Sequence, residues 1–367
     1  MMQIKPLEKE IFVTSPLTPN LELLNAELEK VLQSGVISNF GQKHNELENK
    51  LKDYLKVPNL ALFNNGTTAL FSAIKCLGIK GEIITTPFTF PAVINSIICS
   101  GLTPVFCDID ENYNINPDLI ESCITSETSA ILAVHTFGIP CNYKRIDEIA
   151  QKYNLKVIYD AAHAFGVEVD EKPIGSLGDV SMFSFHATKV YNTIEGGALV
   201  CQDKNLYEKI KLFRNFGIDG EDVLCAGLNG KLNEIQAAVG LLNLPLVEDE
   251  IEKRKKLTEL YCEELTGISG ISVLKQKNNV KSNYQYLIIS VDKNINRDML
   301  FERLKEYNIF TKKYFYPCAT DYSYINNTKG FPVAQSASKQ TLALPLYGKL
   351  SQDDVRKICA IIKFIIK

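Results

Sequence analysis

The chain of 367 residues lacks the features that mark several classes of protein. It contains no tryptophan, only four histidines, and ten cysteines without a C-x-x-C pair, so the spacing typical of zinc ligands is missing. No apolar run approaches the roughly 18 residues of a membrane-spanning helix, and we find no secretory signal pattern. The net charge of -3 and the lack of a long basic run argue against nucleic-acid binding. We therefore expect a cytoplasmic protein without a metal, membrane or nucleic-acid partner.

Short apolar runs alternate with amphipathic stretches between about residues 58 and 201. The predicted strands are 60–63, 82–86, 103–108, 129–134, 155–160, 179–185 and 197–201. This alternation is typical of a largely parallel α/β sheet, which binds ligands at the carboxyl ends of its strands. The later sequence indicates a smaller α/β unit, with strands expected at 271–274, 284–292 and 309–317. We predict a large domain at residues 1–245, including an N-terminal segment, and a small C-terminal domain at residues 246–367.

Two of the predicted strand ends carry polar residues suited to a ligand. In FNNGTTAL, Gly66 allows a tight turn, and Thr67 and Thr68 begin a helical run. Free N–H groups and hydroxyls at such a junction suit a phosphate, and a plain helix N-cap is the alternative. In VIYDAAHAFG, Asp160 ends an apolar strand, where a carboxylate is costly unless it is paired. Asp160 could face a cationic ring nitrogen or cap the next segment.

Lys189 lies one strand further along the chain, in FSFHATKVYNTIEGGALV. A lysine forms a Schiff base only when partial desolvation lets its amine lose a proton. A loop bounded by a buried strand and by Gly196 and Gly197 could provide that environment, and a solvated loop lysine is the alternative.

An aromatic residue completes the set, because PFTFPAV places Phe88 and Phe90 after another strand end. One of them could stack on a flat cofactor, and core packing is the alternative. A phosphate loop, an aromatic face, a strand-end carboxylate and an amine are together what pyridoxal phosphate requires. A nicotinamide-dependent dehydrogenase would instead predict G-x-G-x-x-G after the first strand, which NNGTTAL does not supply.

The chain resembles the sugar aminotransferases of the DegT/DnrJ/EryC/StrS family. The resemblance runs from about residue 12 to the end and includes NNGTTAL, TPFTFPAVINSI, VIYDAAHAFG, GDVSMFSFHATKVYNTIEGGALV and GLNGKLNEIQAAVG. It implies the aspartate aminotransferase fold (fold type I), with a mostly parallel seven-stranded sheet in the large domain and a smaller C-terminal α/β domain. It also implies pyridoxal 5'-phosphate as the cofactor.

The resemblance assigns roles around the ring of the cofactor. Lys189 would form the internal aldimine and move the proton in catalysis. Asp160 would pair with the pyridine nitrogen and keep it protonated. His163 would lie by the phenolic oxygen, and Phe90 would stack on the ring.

The resemblance also assigns the phosphate contacts. Gly66, Thr67 and Ser184 would hold the phosphate within one chain, and Asn229 would reach it from the partner subunit. This arrangement implies a homodimer with shared active sites.

Several positions near the expected sugar site depart from the family pattern. Many relatives carry an arginine where this chain has Lys231, and many carry a histidine after the proline that precedes Cys318 and Ala319. Neither packing nor the sugar site is favoured for His186 or Tyr191 at this stage.

The implied reaction transfers the amino group of L-glutamate, which leaves as 2-oxoglutarate, to a nucleotide-linked keto sugar. The expected substrate is dTDP-4-dehydro-6-deoxy-D-glucose and the expected product is dTDP-4-amino-4,6-dideoxy-D-glucose, for surface polysaccharide such as lipopolysaccharide O-antigen. The alternatives are amination at C3 of a dTDP-3-dehydro-6-deoxyhexose and a cofactor-binding regulatory protein without turnover.

Overall fold

The computed structural model describes residues 5–326 and 329–366. The α-helices are α1 (Leu21–Ser34), α2 (Gln42–Leu55), α3 (Gly66–Cys76), α4 (Pro91–Cys99), α5 (Pro117–Ile120), α6 (Tyr143–Tyr153), α7 (Lys204–Phe213), α8 (Glu234–Asn243), α9 (Val247–Leu265), α10 (Arg297–Lys305), α11 (Pro332–Gln340) and α12 (Gln352–Ile365). The strands are β1 (Ile11–Phe12), β2 (Asn59–Phe63), β3 (Glu82–Thr85), β4 (Thr103–Phe106), β5 (Thr128–Val134), β6 (Lys156–Asp160), β7 (Glu168–Val169), β8 (Lys172–Pro173), β9 (Val180–Ser184), β10 (Gly197–Cys201), β11 (Ile218–Asp219), β12 (Asp222–Val223), β13 (Ile271–Val273), β14 (Val280–Lys281), β15 (Leu287–Val291), β16 (Ile309–Phe310) and β17 (Thr341–Leu344).

A seven-stranded sheet forms the centre of the larger part of the molecule, in the order β2-β10-β9-β6-β5-β3-β4. The strand β10 runs antiparallel to both of its neighbours, and the other pairings from β9 to β4 are parallel. All seven strands lie where the alternation of apolar runs predicts them, and the mostly parallel α/β sheet is confirmed. The carboxyl ends of β5, β6 and β9 therefore meet at one edge.

Helices cover this sheet because their apolar side chains recur at helical spacing. In α2, Leu47, Leu51 and Leu55 lie on one face and are buried in the core. The N-terminus of α2 is capped from α8, since the Glu234 carboxylate accepts hydrogen bonds from the backbone N–H groups of Lys43 at 2.7 Å and His44 at 2.9 Å. The buried Glu234 carboxylate therefore connects the start of α8 to the start of α2, where the positive end of the helix dipole favours an anion.

A second, three-stranded sheet has the order β13-β15-β17 and packs against α9 and α12. The expectation of a strand over 309–317 is wrong for most of its length, because the regular strand there is limited to Ile309–Phe310, which pair with Ile11–Phe12. Two lysines and a proline interrupt that stretch, whereas the third strand of the sheet is the short apolar run Thr341–Leu344.

The boundary between residues 245 and 246 stays a prediction. A short 3-10 turn at Leu244–Leu246 separates α8 from α9 there. The N-terminal segment contributes Leu7 and Ile11 to the core of the second sheet, although the sequence places it with the large domain.

Among the described residues there is neither a candidate membrane-spanning helix nor a candidate metal site. No helix there has the length and apolar character that crossing a bilayer requires. The same residues form no cluster of histidine, cysteine and carboxylate side chains that could bind a metal ion.

Candidate active site

A cavity of about 600 Å³ lies at the carboxyl edge of the large sheet. Val134, Asp160 and Ser184 end β5, β6 and β9, and all three line it. The residues predicted from the sequence that line this cavity are Gly66, Thr67, Phe90, Asp160, His163, Ser184 and Lys189. The fold therefore brings together side chains that are up to 123 positions apart, from Gly66 to Lys189.

Asp160 is a buried carboxylate with only 5% of its surface exposed. Its Oδ1 accepts a hydrogen bond from the backbone N–H of Ala162 at 2.9 Å. Burial raises the pKa of Asp160 to about 6, and the Ala162 N–H and the Lys189 ammonium oppose that rise. A carboxylate in such a place is stabilised by a cationic partner, so Asp160 is suited to pair with a cation that enters the cavity.

Lys189 lies half-buried in the loop between β9 and β10. Its backbone N–H donates to the carbonyl of His186 at 2.9 Å, and its Nζ lies 5.9 Å from the centroid of the Tyr286 ring. Burial lowers the pKa of Lys189, while Tyr314 and Asp160 oppose that change. A lowered pKa increases the fraction of neutral amine, which is the nucleophilic and basic form of lysine.

His163 is a buried imidazole at the wall of the cavity. Its Nδ1 accepts a hydrogen bond from the backbone N–H of Phe137 at 3.2 Å, so Nε2 carries the proton of the neutral ring. Burial lowers the pKa of His163 well below its ordinary value. The imidazole is parallel to the ring of Phe315, at 1° and 6.1 Å between centroids. His163 is therefore a neutral hydrogen-bond donor held in place by aromatic packing.

The N-terminus of α3 forms one end of the cavity. Asn65 caps this helix, because its Oδ1 accepts from the Thr68 backbone N–H at 2.8 Å and from the Thr68 hydroxyl at 2.9 Å. The N–H groups of Gly66 and Thr67 belong to the first turn and have no partner within the helix. A Cβ on Gly66 would lie 3.2 Å from Cβ of Ser184, so the end of β9 lies directly against this turn. Together they make a site suited to a phosphate.

Close packing requires a glycine at position 197, the second residue of the Gly-Gly pair that follows Lys189. A Cβ at Gly197 would lie 2.8 Å from the carbonyl carbon of Asn65 and from the backbone nitrogen of Gly66. The start of β10 therefore supports the phosphate turn by close backbone contact, which only glycine permits.

The two candidate aromatic residues, Phe88 and Phe90, differ in their exposure. Phe88 is fully buried and packs edge-on against Phe315 and Phe137 at 5.3 and 6.0 Å between centroids. Phe90 lies just before α4, lines the cavity and has 55% of its surface exposed. Phe90 is therefore the residue whose ring face is available to a planar ligand.

Asn229 lies outside the cavity of its own chain, on an exposed loop. Its backbone carbonyl accepts a hydrogen bond from Asn64 Nδ2 at 3.4 Å. The neighbouring Lys231 donates to Asn215 Oδ1 at 3.1 Å and lies 4.8 Å from the centroid of the Phe216 ring. The role of Asn229 toward a partner subunit stays a prediction.

The structure places His186 and Tyr191, which the sequence does not assign to packing or to the sugar site, in different surroundings. Tyr191 has no exposed surface and stacks on Phe165 at 4.5 Å, so it belongs to the core. His186 lines the cavity, and its Nε2 lies 3.5 Å from Oε1 of Glu195. Cys318, expected near a sugar site, is fully buried, and its thiol donates to the carbonyl of Ala334 at 3.4 Å.

Comparison with known proteins gives one consistent answer. The DegT/DnrJ/EryC1/StrS aminotransferase family matches residues 21–363. A dTDP-4-amino-4,6-dideoxy-D-glucose transaminase from Shigella dysenteriae is 45% identical over 366 residues, covering 98% of this chain and 100% of that protein. The crystal structure of DesI in the presence of its TDP-sugar product superimposes with a TM-score of 0.95 at 31% identity, covering 99% of this chain and 94% of DesI.

The chain belongs to the DegT/DnrJ/EryC1/StrS aminotransferase family. A further similar structure is Spr1654 from Streptococcus pneumoniae in its PLP form, with a TM-score of 0.89, 26% identity, and coverage of 96% of this chain and 98% of Spr1654. Membership of this aminotransferase family implies dependence on pyridoxal phosphate, as the resemblance indicates.

The residues of this family member fit pyridoxal phosphate on their own chemistry. The buried carboxylate of Asp160 suits a protonated ring nitrogen, and the N–H groups at Gly66 and Thr67 suit a phosphate. The lysine of lowered pKa, Lys189, lies in the same cavity. Phe90 offers an exposed ring for stacking.

The C-terminal part of the chain provides one side of the cavity, and the sequence does not predict this contribution. Tyr286, Lys312, Tyr314 and Phe315 all line the cavity. The hydroxyls of Tyr286 and Tyr314 are 3.4 Å apart. The alternation of Lys312 and Tyr314 in the sequence predicts that they share one face of an extended segment, but it does not predict that this face lines the cavity.

Proposed function

We propose that this chain is a pyridoxal-phosphate-dependent transaminase that transfers the amino group of L-glutamate to dTDP-4-dehydro-6-deoxy-D-glucose. The product is dTDP-4-amino-4,6-dideoxy-D-glucose. The observation that carries this proposal is the convergence of Asp160, Lys189 and the Gly66 turn in one cavity. The substrate class is supported by a relative of that name that is 45% identical over its whole length. We expect the amino sugar to serve surface-polysaccharide synthesis, as the resemblance implies.

The cofactor, when bound, supplies a ring that withdraws electrons from the carbon that loses a proton. The carboxylate of Asp160 would hold the ring nitrogen in its protonated form, because an adjacent anion favours the cation. His163, neutral and protonated on Nε2, would donate a hydrogen bond from Nε2 to the phenolic oxygen of that ring.

Lys189 would hold the cofactor covalently and would also serve as the acid–base group. Because burial lowers its pKa, a larger fraction of the released amine would be neutral and able to take a proton from the α-carbon of the amino donor and pass it to the bound cofactor. In the second half of the reaction, the same amine would take a proton from the bound cofactor and pass it to the sugar carbon. Its place in the cavity supplies the proximity on which such transfers depend.

We also propose that two copies of the chain share each site, with Asn229 reaching the phosphate bound by the other copy. The support for this is that Asn229 is exposed and lies outside the cavity of its own chain. Asn229→Ala and Lys189→Ala chains, each inactive alone, should regain part of the activity when mixed, because one of the two sites in a mixed dimer is intact. A mixture as inactive as its components would contradict the shared site.

Turnover of dTDP-4-dehydro-6-deoxy-D-glucose with L-glutamate tests the proposed function. Proton NMR of the product should place the new amine at C4. An amine at C3 of the product would support the alternative regiochemistry. Failure to consume this substrate, by protein that completes the glutamate half-reaction, would overturn the proposed substrate.

A further inference from the structure

Two adjacent lysines in the segment after β16 have different surroundings. The backbone of Lys312 is fixed by reciprocal hydrogen bonds with Ala343, with its N–H donating at 3.1 Å and its carbonyl accepting at 2.8 Å. This places Lys312 and Tyr314 along the cavity, and Lys313 points away from it. The alternation is that of an extended chain.

Lys313 has its charge compensated by contacts within the protein. Its Nζ lies 2.6 Å from Oδ1 of Asp298 and 4.3 Å from the centroid of the Phe301 ring. For Lys312, by contrast, no carboxylate lies within ion-pair distance in residues 5–326 and 329–366. Lys312 is exposed and lines the cavity, so it belongs to the solvent-exposed edge of the cavity, which we call the rim. Its ammonium group is therefore available to an external anion.

The other charged groups that line the cavity have partners or a defined use. Asp160 and Lys189 lie at the floor, where the proposed chemistry employs both. At the rim, the carboxylate of Glu195 lies 3.5 Å from Nε2 of His186. Lys312 is thus the lining cation that neither the cofactor nor an internal anion uses.

The proposed reaction brings two kinds of anion to the cavity, the diphosphate of the nucleotide sugar and the α-carboxylate of the amino donor. The position of Lys312 at the rim favours the diphosphate as its partner. The keto carbon C4 of the proposed substrate must reach Lys189 at the floor of the cavity, and the diphosphate is attached at C1, across the sugar ring from C4. The nucleoside diphosphate must then extend past the rim. The α-carboxylate of an amino donor lies one bond from the reacting carbon and therefore stays at the floor near Lys189.

We propose that Lys312 binds the diphosphate of the nucleotide sugar and determines affinity for that substrate. The inference rests on the proposed function, because it assumes a nucleotide-linked substrate. An ammonium group suits this role, since lysine binds phosphate oxygens as a point charge on a flexible stem. Lys312 acts in substrate binding, and the proton transfers stay with Lys189.

The test compares Lys312→Met with Lys313→Met in the cofactor-loaded, full-length enzyme. Lys312→Met should raise KM for the nucleotide sugar about tenfold, with kcat within about twofold, because one charge-assisted contact is lost. The half-reaction with glutamate should keep its rate. Lys312→Arg should restore most of the affinity. Lys313→Met removes an equal charge outside the cavity and should leave both kinetic constants unchanged.

Binding of dTDP alone separates this inference from the proposed function. Wild-type holoenzyme should bind dTDP in calorimetry, and Lys312→Met should weaken that binding about tenfold whether or not the keto sugar is turned over. Equal dTDP affinity in the two proteins, or no dTDP binding by the wild type, would overturn the inference. A loss confined to the glutamate half-reaction would also overturn it, because it would assign Lys312 to the amino donor.

Discussion

The floor and the rim of the cavity are built by different parts of the fold. The floor consists of Asp160 at the end of the buried strand β6 and Lys189 in the loop after β9. Burial raises the pKa of Asp160 and lowers the pKa of Lys189, and both shifts favour the neutral forms. The rim includes Lys312, which is exposed. Burial thus shifts the ionisation of the groups at the floor, whereas the charge at the rim remains accessible to solvent and, under the proposed function, to the nucleotide sugar.

The largest effect on the comparison between floor and rim is expected when the carboxylate of Asp160 is neutralised. Asp160→Asn should lower kcat/KM by about 10²- to 10³-fold, because one preorganised electrostatic contact to the cofactor ring is lost. The same change should stabilise the cofactor-free protein at pH 8 by about 3 kcal/mol, because the pKa of Asp160 is raised to about 6 and its ionisation disfavours folding. The measurements are steady-state kinetics and thermal unfolding at pH 5 and pH 8.

The effect of Asp160→Asn on stability should depend on pH, and its direction follows from the raised pKa of Asp160. The pKa of Asp160 is higher in the folded chain than in the unfolded chain, so its stabilising contribution is complete below the unfolded pKa and is lost as pH rises through about 6. The advantage of Asp160→Asn should therefore shrink at pH 5. A variant that is less stable than the wild type at pH 8 would contradict the account.

Asp108 supplies a matched control, since it is also a buried aspartate. Its carboxylate accepts hydrogen bonds from the backbone N–H groups of Ile109 at 2.9 Å, Val333 at 3.1 Å and Ala334 at 2.9 Å. Asp108→Asn should destabilise the protein, because an amide replaces an anion that has several donors.

The smallest expected effect concerns Tyr191, which lies close to Lys189 in sequence but packs in the core. Its hydroxyl is buried without a hydrogen-bond partner among the described residues. Tyr191→Phe should leave kcat/KM within about twofold and raise the free energy of unfolding by about 1 kcal/mol, because a desolvated hydroxyl is removed. Kinetics and thermal unfolding of this variant check both values. A tenfold loss of kcat at unchanged stability would instead place Tyr191 in the catalytic machinery.

The floor could be predicted from the sequence because each of its residues ends a short apolar run or lies in the loop that follows one. Asp160 and Ser184 end strands whose alternation with helices predicts a parallel sheet, and such strands meet at one edge. Lys189 follows Ser184 by five residues, so its place near that edge also follows from local sequence.

The rim could not be predicted, because its position depends on contacts between distant segments. The bridge that fixes Lys312 is made with Ala343, in a strand that the sequence reasoning did not assign. The choice between Phe88 and Phe90 likewise depends on tertiary packing, since Phe315 covers the first and leaves the second exposed.

The most direct test of the central claim is a single-turnover measurement of the glutamate half-reaction, followed by the visible absorption of the bound cofactor. Wild-type protein should convert the cofactor to its amine form, and Lys189→Ala should be slower by about 10⁴-fold, because the acid–base group is absent. Lys189→Arg should be equally slow, because a guanidinium keeps the charge but does not give up its proton. Conversion by Lys189→Ala at a rate within tenfold of the wild type would contradict the assignment of the chemistry to this lysine.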